Sequence, residues 1–213
     1  MEIISGVSAH LPPQLLAALA HYRYQVFVKK LGWPLQCQDN LEFDDFDKPD
    51  TIYVIALNAS KKIIGSTRLL PTTRPYLLEE VFPQLVASCP PPKSPEVWEL
   101  SRFSAIDLEA PNSSYHSSLA SSVSVGLLRT SMQCAAKRGA KRLITVSPLG
   151  VERLLHKLGF QARRGGPTTI IDGVPIFACW IECAHVFQPE TYLQNSLYSH
   201  ENGTIQLMPT VKS

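Results

Sequence analysis

The sequence predicts an α/β fold of the mixed (α+β) kind, a mixed sheet with helices packed on it. Two observations predict it. TIYVIALN (51–58) and KIIGSTRLL (62–70) are β-rich runs separated by a short polar stretch, the pattern of an antiparallel hairpin. Further along, the pattern becomes strand, helix, strand, helix, strand, which needs a sheet with helices packed on it.

Each element has its own signal. Pro12–Pro13 followed by QLLAALAHYRYQVFVKKLG reads as a helix. Proline is tolerated in the first turn, Leu15, Leu19, Tyr22 and Val26 recur at helical spacing, Lys29 and Lys30 suit the last turn and Gly32 the position after it. Arg23 borders that apolar stripe. PEVWELSRFSA (95–105) is a further strand after the proline-rich loop at Pro90–Pro92. SSLASSVSVGLLRTSMQCAAKRGA (117–140) reads as a helix ending near Gly139, RLITVS (142–147) as a strand, and PLGVERLLHKLGF (148–160) as a short helix closed by Gly159. TTIIDGVPIFACWIECA (168–184) reads as two strands turning at Asp172–Gly173. The last 25 or so residues carry no clear pattern.

At 213 residues with 45% hydrophobic side chains, a single domain over 1–213 is expected. No stretch approaches the roughly 20 apolar residues of a membrane span, and MEIISGVSAHLPPQ lacks the basic start of a leader. The five cysteines are scattered without a CxxC pair, so neither a disulfide framework nor a metal site is expected. A cytoplasmic setting follows from these features. Charge is unevenly spread. Residues 39–50 hold six acids against Lys48, and residues 129–164 hold nine bases against Glu152. This suggests an acidic pocket and a basic docking face.

WELSRFSA (98–105) poses a problem. Glu99 and Arg102 lie three apart in a strand otherwise built of bulky apolar residues, and in a regular strand they point to opposite faces. A β-bulge would bring them to one side. Arg23, Asp44, Asp47 and Arg68 are likewise set in or beside apolar segments. A lone buried ion costs several kcal/mol, so such groups persist inside only when paired with one another or with a ligand.

The element order is that of the GNAT acyltransferase fold. In that fold a glycine-rich turn with a leading arginine usually holds an acyl-CoA pyrophosphate, and YHSSLASSVSVGLLR lacks both. The blocks HYRYQVF…LGW (21–33), EFDDFDKPDTIYV (42–54), GSTRLLPTTRPYLL (65–78) and VWELSRFSA (97–105) resemble the signature blocks of the acyl-homoserine-lactone synthases, the LuxI-type autoinducer synthases. The resemblance covers roughly residues 15–160 and is densest in the first half. It implies a GNAT-like three-layer fold, a mixed twisted sheet with helices on both faces, and an enzyme that joins an acyl chain, usually from acyl carrier protein, to S-adenosylmethionine, with no further cofactor.

The family's functional set then falls on Arg23, Phe27, Trp33, Asp44, Asp47, Arg68, Phe82, Glu99 and Arg102. Chemistry supports the match. S-adenosylmethionine carries a carboxylate, an amine, a sulfonium and an adenosine. Arg23 or Arg102 can fork onto the carboxylate. Asp44 and Asp47 supply negative potential, while Phe27 and Trp33 offer cation–π contact and a lid over the ligand, and the resemblance places Phe82 in the same S-adenosylmethionine site. Glu99 is the expected base for the amine, with Arg102 and Arg68 holding it in place and keeping it ionised. Leu100, Phe103, Leu127, Thr145 and Ser147 are candidates for the acyl channel. Lys137, Arg138, Arg153, Lys157 and Arg163 are candidates for docking acyl carrier protein, whose helices are acidic. Two rivals remain: an acyl-CoA-dependent N-acyltransferase acting on another amine, and a non-catalytic module binding through the bases at 129–164. For nucleic acid a strongly basic domain would be expected, and the net charge is only +2.

Overall fold

The computed structural model describes residues 1–86, 89–110 and 121–183. Within them eight strands make one sheet: β1 (Glu2–Val7), β2 (Ile52–Leu57), β3 (Ile63–Pro71), β4 (Val97–Ser104), β5 (Arg142–Pro148), β6 (Ala162–Arg164), β7 (Thr169–Ile171) and β8 (Val174–Glu182). Their order is β1-β2-β3-β4-β5-β8-β6, with β7 pairing to β8. The β4–β5 pair is parallel and the other described pairs are antiparallel. The predicted hairpins are both present. Asp172 (φ 49°) and Gly173 (φ 77°) make the turn between β7 and β8, where two successive positive φ angles match the twist of the strands.

Among the described residues four α-helices cover the sheet: α1 (Pro13–Arg23), α2 (Leu77–Val81), α3 (Ser122–Ala136) and α4 (Val151–Lys157). Strand periodicity sorts them into layers. Ile52, Val54 and Ala56 of β2 pack with Leu127, Leu128 and Met132 of α3 and Leu155 of α4. The alternate residues Tyr53, Ile55 and Leu57 pack with Leu19 of α1. On the α2 side, Leu70, Val97, Ile144 and Ala178 gather with Tyr76 and Leu78. Helices α1 and α2 thus lie on one face, α3 and α4 on the other, which is the predicted three-layer arrangement. No helix among the described residues is long and apolar enough to cross a membrane.

Several elements depart from expectation. The first helix is α-helical only to Arg23 and continues over Tyr24–Lys30 as a π-helix. The 117–140 helix begins at Ser122, capped by the Ser121 hydroxyl, which accepts from the Ser124 amide at 3.2 Å; residues 117–120 and 184–213 of the predicted segments lie outside the described residues. Strand β1 went unpredicted because EIISGV pairs at the sheet edge and alternates only weakly. Short α2 and the 3-10 turn at Pro83–Val86 have too few residues to show a period.

Close packing between α3 and the sheet depends on Gly65 of β3. A Cβ there would lie 2.8 Å from Leu127 Cδ1 and 2.9 Å from the Ser104 carbonyl oxygen. The oxygen belongs to the backbone and cannot swing away. Gly65→Ala is therefore expected to destabilise the protein by about 1–3 kcal/mol through overpacking, read as a lower urea midpoint; an unchanged midpoint would contradict this packing.

Candidate active site

Register explains how Arg102 joins the polar face. β3 and β4 pair Ser66 with Ser104 but Arg68 with Ser101, so three steps on β4 match two on β3. The extra residue is accommodated by Arg102, whose φ is 51°, a left-handed conformation that a non-glycine residue adopts at a cost and that marks a bulge. Leu100 and Phe103 consequently both join the α3-side core, while Ser101 and Arg102 both bond to groups on the opposite face.

Six side chains close into a ring of alternating charge there. Arg23 at the end of α1 donates from Nε to Glu42 Oε2 at 2.5 Å, and from Nη1 and Nη2 to the two Asp47 oxygens at 2.9 Å each. Asp47 Oδ1 also accepts from Arg68 Nη1 at 2.9 Å, and the same nitrogen reaches Asp44 Oδ1 at 2.5 Å. Asp44 Oδ2 accepts from Arg102 Nη2 at 2.7 Å, and Arg102 returns to Glu42 Oε1 through Nε at 3.1 Å and Nη2 at 3.0 Å. Tyr53 donates to Asp47 Oδ1 at 2.7 Å and Arg68 Nε to Ser101 Oγ at 3.1 Å. The flanking guanidinium groups hold the Asp47 carboxyl well below the usual range, against the burial that raises it. Asp44 is the ring's most exposed member, its side chain 21% accessible against 6% or less for the other five.

An aromatic wall stands beside the ring. In an α-helix Phe27 and Trp33 would face different directions. The π-turn bonds the Leu31 amide to the Val26 carbonyl at 2.9 Å, Gly32 turns the chain at φ 69°, and the Trp33 amide bonds back to the Phe27 carbonyl at 2.9 Å. The two rings stack with centroids 4.7 Å apart, and the Arg102 guanidinium lies 5.8 Å from each. A π-turn is a rare device that often sits at functional sites.

Glu99 differs from expectation. Among the described residues it makes no ion pair; its carboxylate accepts from the amides of Leu77 at 3.0 Å and Leu78 at 2.8 Å, at the start of α2. The third acid neutralising the arginines is Glu42, only 1% exposed, which stands in the acidic 39–50 stretch but was not singled out from the sequence. Because Arg68 and Arg102 are committed to the ring, they act on Glu99 only through space. Burial pushes its carboxyl up to about 7, opposed by the two amides and the two arginines. Arg23 is also not free to grip a ligand, since all three of its side-chain nitrogens are engaged. The hydrogen bonds of Arg102 run through Nε and Nη2, so its Nη1 has no partner among the described residues, and Arg68 Nη2 is buried and likewise unpartnered.

The remaining candidates are placed apart. Phe82 packs in the apolar group around Tyr76 and Leu78 with Phe46, whose ring is 5.7 Å from the Arg68 guanidinium. Leu100, Phe103 and Leu127 belong to the α3-side core, and alternation from Leu143 puts Thr145 and Ser147 on that side too. The sheet therefore stands between them and the charged ring. Parallel pairing of β4 with β5 covers only Val97–Glu99 against Arg142–Ile144, and beyond it the strands have no paired residues. Of the basic candidates, Lys137, Arg138, Arg153, Lys157 and Arg163 are all exposed. They do not share one spot: Lys137 and Arg138 precede the start of β5 and Arg153 follows its end, a separation along the strand of about 20 Å.

Comparison with known proteins agrees with this architecture. The family described as Autoinducer synthase matches residues 13–188. An acyl-homoserine-lactone synthase of Acinetobacter nosocomialis is 51% identical over 182 residues, 85% of this chain and all of that protein. The crystal structure of TofI, in a ternary complex with an inhibitor and MTA, superposes with a TM-score of 0.74 at 43% identity, covering 86% of this chain and 92% of that one. BjaI, a CoA-dependent acyl-homoserine lactone synthase solved with SAM and isopentyl-CoA, gives 0.74 at 26% identity over 86% and 82%. Matched over most of its length by this family and its members, the chain belongs to the autoinducer synthases, the acyl-homoserine-lactone synthases, GNAT-like enzymes of the acyl-transfer type.

Proposed function

We propose that this enzyme transfers an acyl chain from acyl carrier protein to the α-amine of S-adenosylmethionine, closes the lactone and releases methylthioadenosine. The observation that carries this reading is the closed ring of three arginines and three carboxylates beside the Phe27–Trp33 stack, with Glu99 outside it. The ring is rigid and neutral in sum, so a cationic ligand meets local carboxylate potential at Asp44 without entering a site of large net charge. Arg102 Nη1 is the spare donor for the methionyl carboxylate, and the outward face of the stack receives the sulfonium.

An ammonium has no lone pair to attack with. Model α-amines titrate near about 8, so Glu99, with a carboxyl near 7, is matched to accept the proton directly or through a water. The amine then forms the N–C bond to the thioester carbonyl, the C–S bond breaks, the nitrogen's second proton passes to the departing sulfur so that it leaves as the thiol, and the proton held by Glu99 is released to water. Free backbone N–H groups where β4 parts from β5 can donate to the developing oxyanion. The opening between those strands is also the passage that joins the two faces. Through it the thioester can sit near Glu99 while the fatty chain lies among Leu100, Phe103, Leu127, Thr145 and Ser147. In the second step a carboxylate oxygen attacks the γ-carbon, and the C–S⁺ bond breaks with its electron pair passing to sulfur. Holding the chain bent suffices for this intramolecular closure. A coenzyme A thioester is the second reading for the donor, favoured by the likeness to BjaI.

Incubating the protein with S-adenosylmethionine and either acyl carrier protein or CoA thioesters, and reading methylthioadenosine and acylated lactone by mass spectrometry, tests the reaction and ranks the donors. No lactone with either donor would overturn the reading. Glu99→Gln is expected to lower kcat by about 10²-fold or more with S-adenosylmethionine affinity little changed. Because the base works deprotonated, kcat is expected to rise with pH through about 7; a profile flat from pH 5.5 to 8.5 would remove Glu99 from the chemistry. If Arg153 and its neighbours dock acyl carrier protein, raised salt should increase the KM for that donor, and Arg153→Glu should increase it further; a KM indifferent to both would place the dock elsewhere.

A further inference from the structure

The Glu99 carboxylate is gripped from outside its own strand. Its two oxygens accept from the first two amides of α2, so Glu99 serves as that helix's missing N-cap; the Tyr76 side chain at the cap position makes no such bond. The geometry of these amides depends on what fastens the beginning of α2. Tyr76 is fully buried, its ring packed among Leu78, Leu85 and Val97, and its hydroxyl donates to the Pro92 carbonyl at 2.9 Å. The chain just after the prolines is tied again. Thr72 Oγ1 reaches the carbonyls of Ser94 and Val97 at 2.9 Å each, and Lys93 pairs with Glu79 of α2 at 2.7 Å. Pro90, Pro91 and Pro92 have fixed φ angles, so the carbonyl receiving the Tyr76 hydroxyl sits on a stiff stretch of chain.

We propose that Tyr76 is a positioning residue for the reaction: by pinning the start of α2 to the Pro90–Pro92 loop it holds the Leu77 and Leu78 amides on the Glu99 carboxylate. The proposal rests on the reading of Glu99 as the base. Around that carboxylate the charged and titratable groups are Arg68 from β3, Arg102 from β4 and Tyr76 at the start of α2. Both arginines keep their ring partners whatever happens to α2. The amides are the part of the surroundings that Tyr76 controls, and they favour the charged carboxylate. Loosening them shifts Glu99 towards its protonated form, so the enzyme needs a higher pH to reach the same turnover.

Two variants test this. Tyr76→Phe removes only the hydroxyl that reaches Pro92. Leu77→Pro deletes the amide that bonds Oε2; proline suits the first position of a helix, and Tyr76 already has the extended backbone (φ −142°, ψ 163°) that a residue before proline requires. Both variants are expected to move the acidic limb of the kcat profile up by about half a pH unit or more, with the KM for S-adenosylmethionine within about twofold of wild type and kcat recovering at high pH. Titration of ¹³C-labelled glutamate carboxyls by NMR should show the same upward move at Glu99, independently of turnover. An unmoved limb and carboxyl titration in Tyr76→Phe would overturn the role of Tyr76, and unmoved values in Leu77→Pro as well would overturn the amide grip. Full turnover in Glu99→Gln would remove the base itself, a different failure.

Discussion

The site depends on mutual neutralisation of three buried arginines and three carboxylates. Each ion alone would cost several kcal/mol to bury. Joined head to tail, every guanidinium in the ring touches two carboxylates and every carboxylate two guanidinium groups. The members come from the end of α1, the loop at 42–47, β3 and the bulge of β4. No short segment contains enough of them to be neutral, so the ring exists only when the tertiary structure does. It locks those four parts of the chain together at the point where ligand chemistry is proposed.

Glu99 shows the complementary strategy. Had it entered the ring, its carboxyl would be driven far down, as that of Asp47 is, and it would be a poor base at neutral pH. Kept apart and capped by neutral amides, it feels burial more strongly than attraction. The two kinds of carboxylate, both within reach of the same arginines in space, are separated by who donates to them.

Much of this was legible in the sequence. Arginines and aspartates inside apolar segments had to be paired, and the three-residue gap between Glu99 and Arg102 required a break in the strand; both expectations rest on local spacing. Glu42 escaped notice because it stands at the head of an acidic run and only its distant partners, Arg23 and Arg102, reveal that it is inside. Counting charges offered a signal: with Glu99 elsewhere, three arginines need a third acid. The α2 grip on Glu99 had no such signal, since backbone amides are present everywhere and a five-residue helix leaves no periodicity. Leu100, Phe103 and Leu127 were chosen as apolar positions and Thr145 and Ser147 on the family resemblance, and alternation along β4 and β5 puts the strand residues among them across the sheet from the ring.

The exposure of Asp44 bears on how a catalytic cycle ends. In the proposed reaction the incoming ligand is positively charged at sulfur, whereas the departing thioether is neutral. An outward-facing carboxylate attracts the first and is indifferent to the second. Breaking the carbon–sulfur bond therefore erases the electrostatic part of the grip, and the spent nucleoside is ejected by the same event that completes the product.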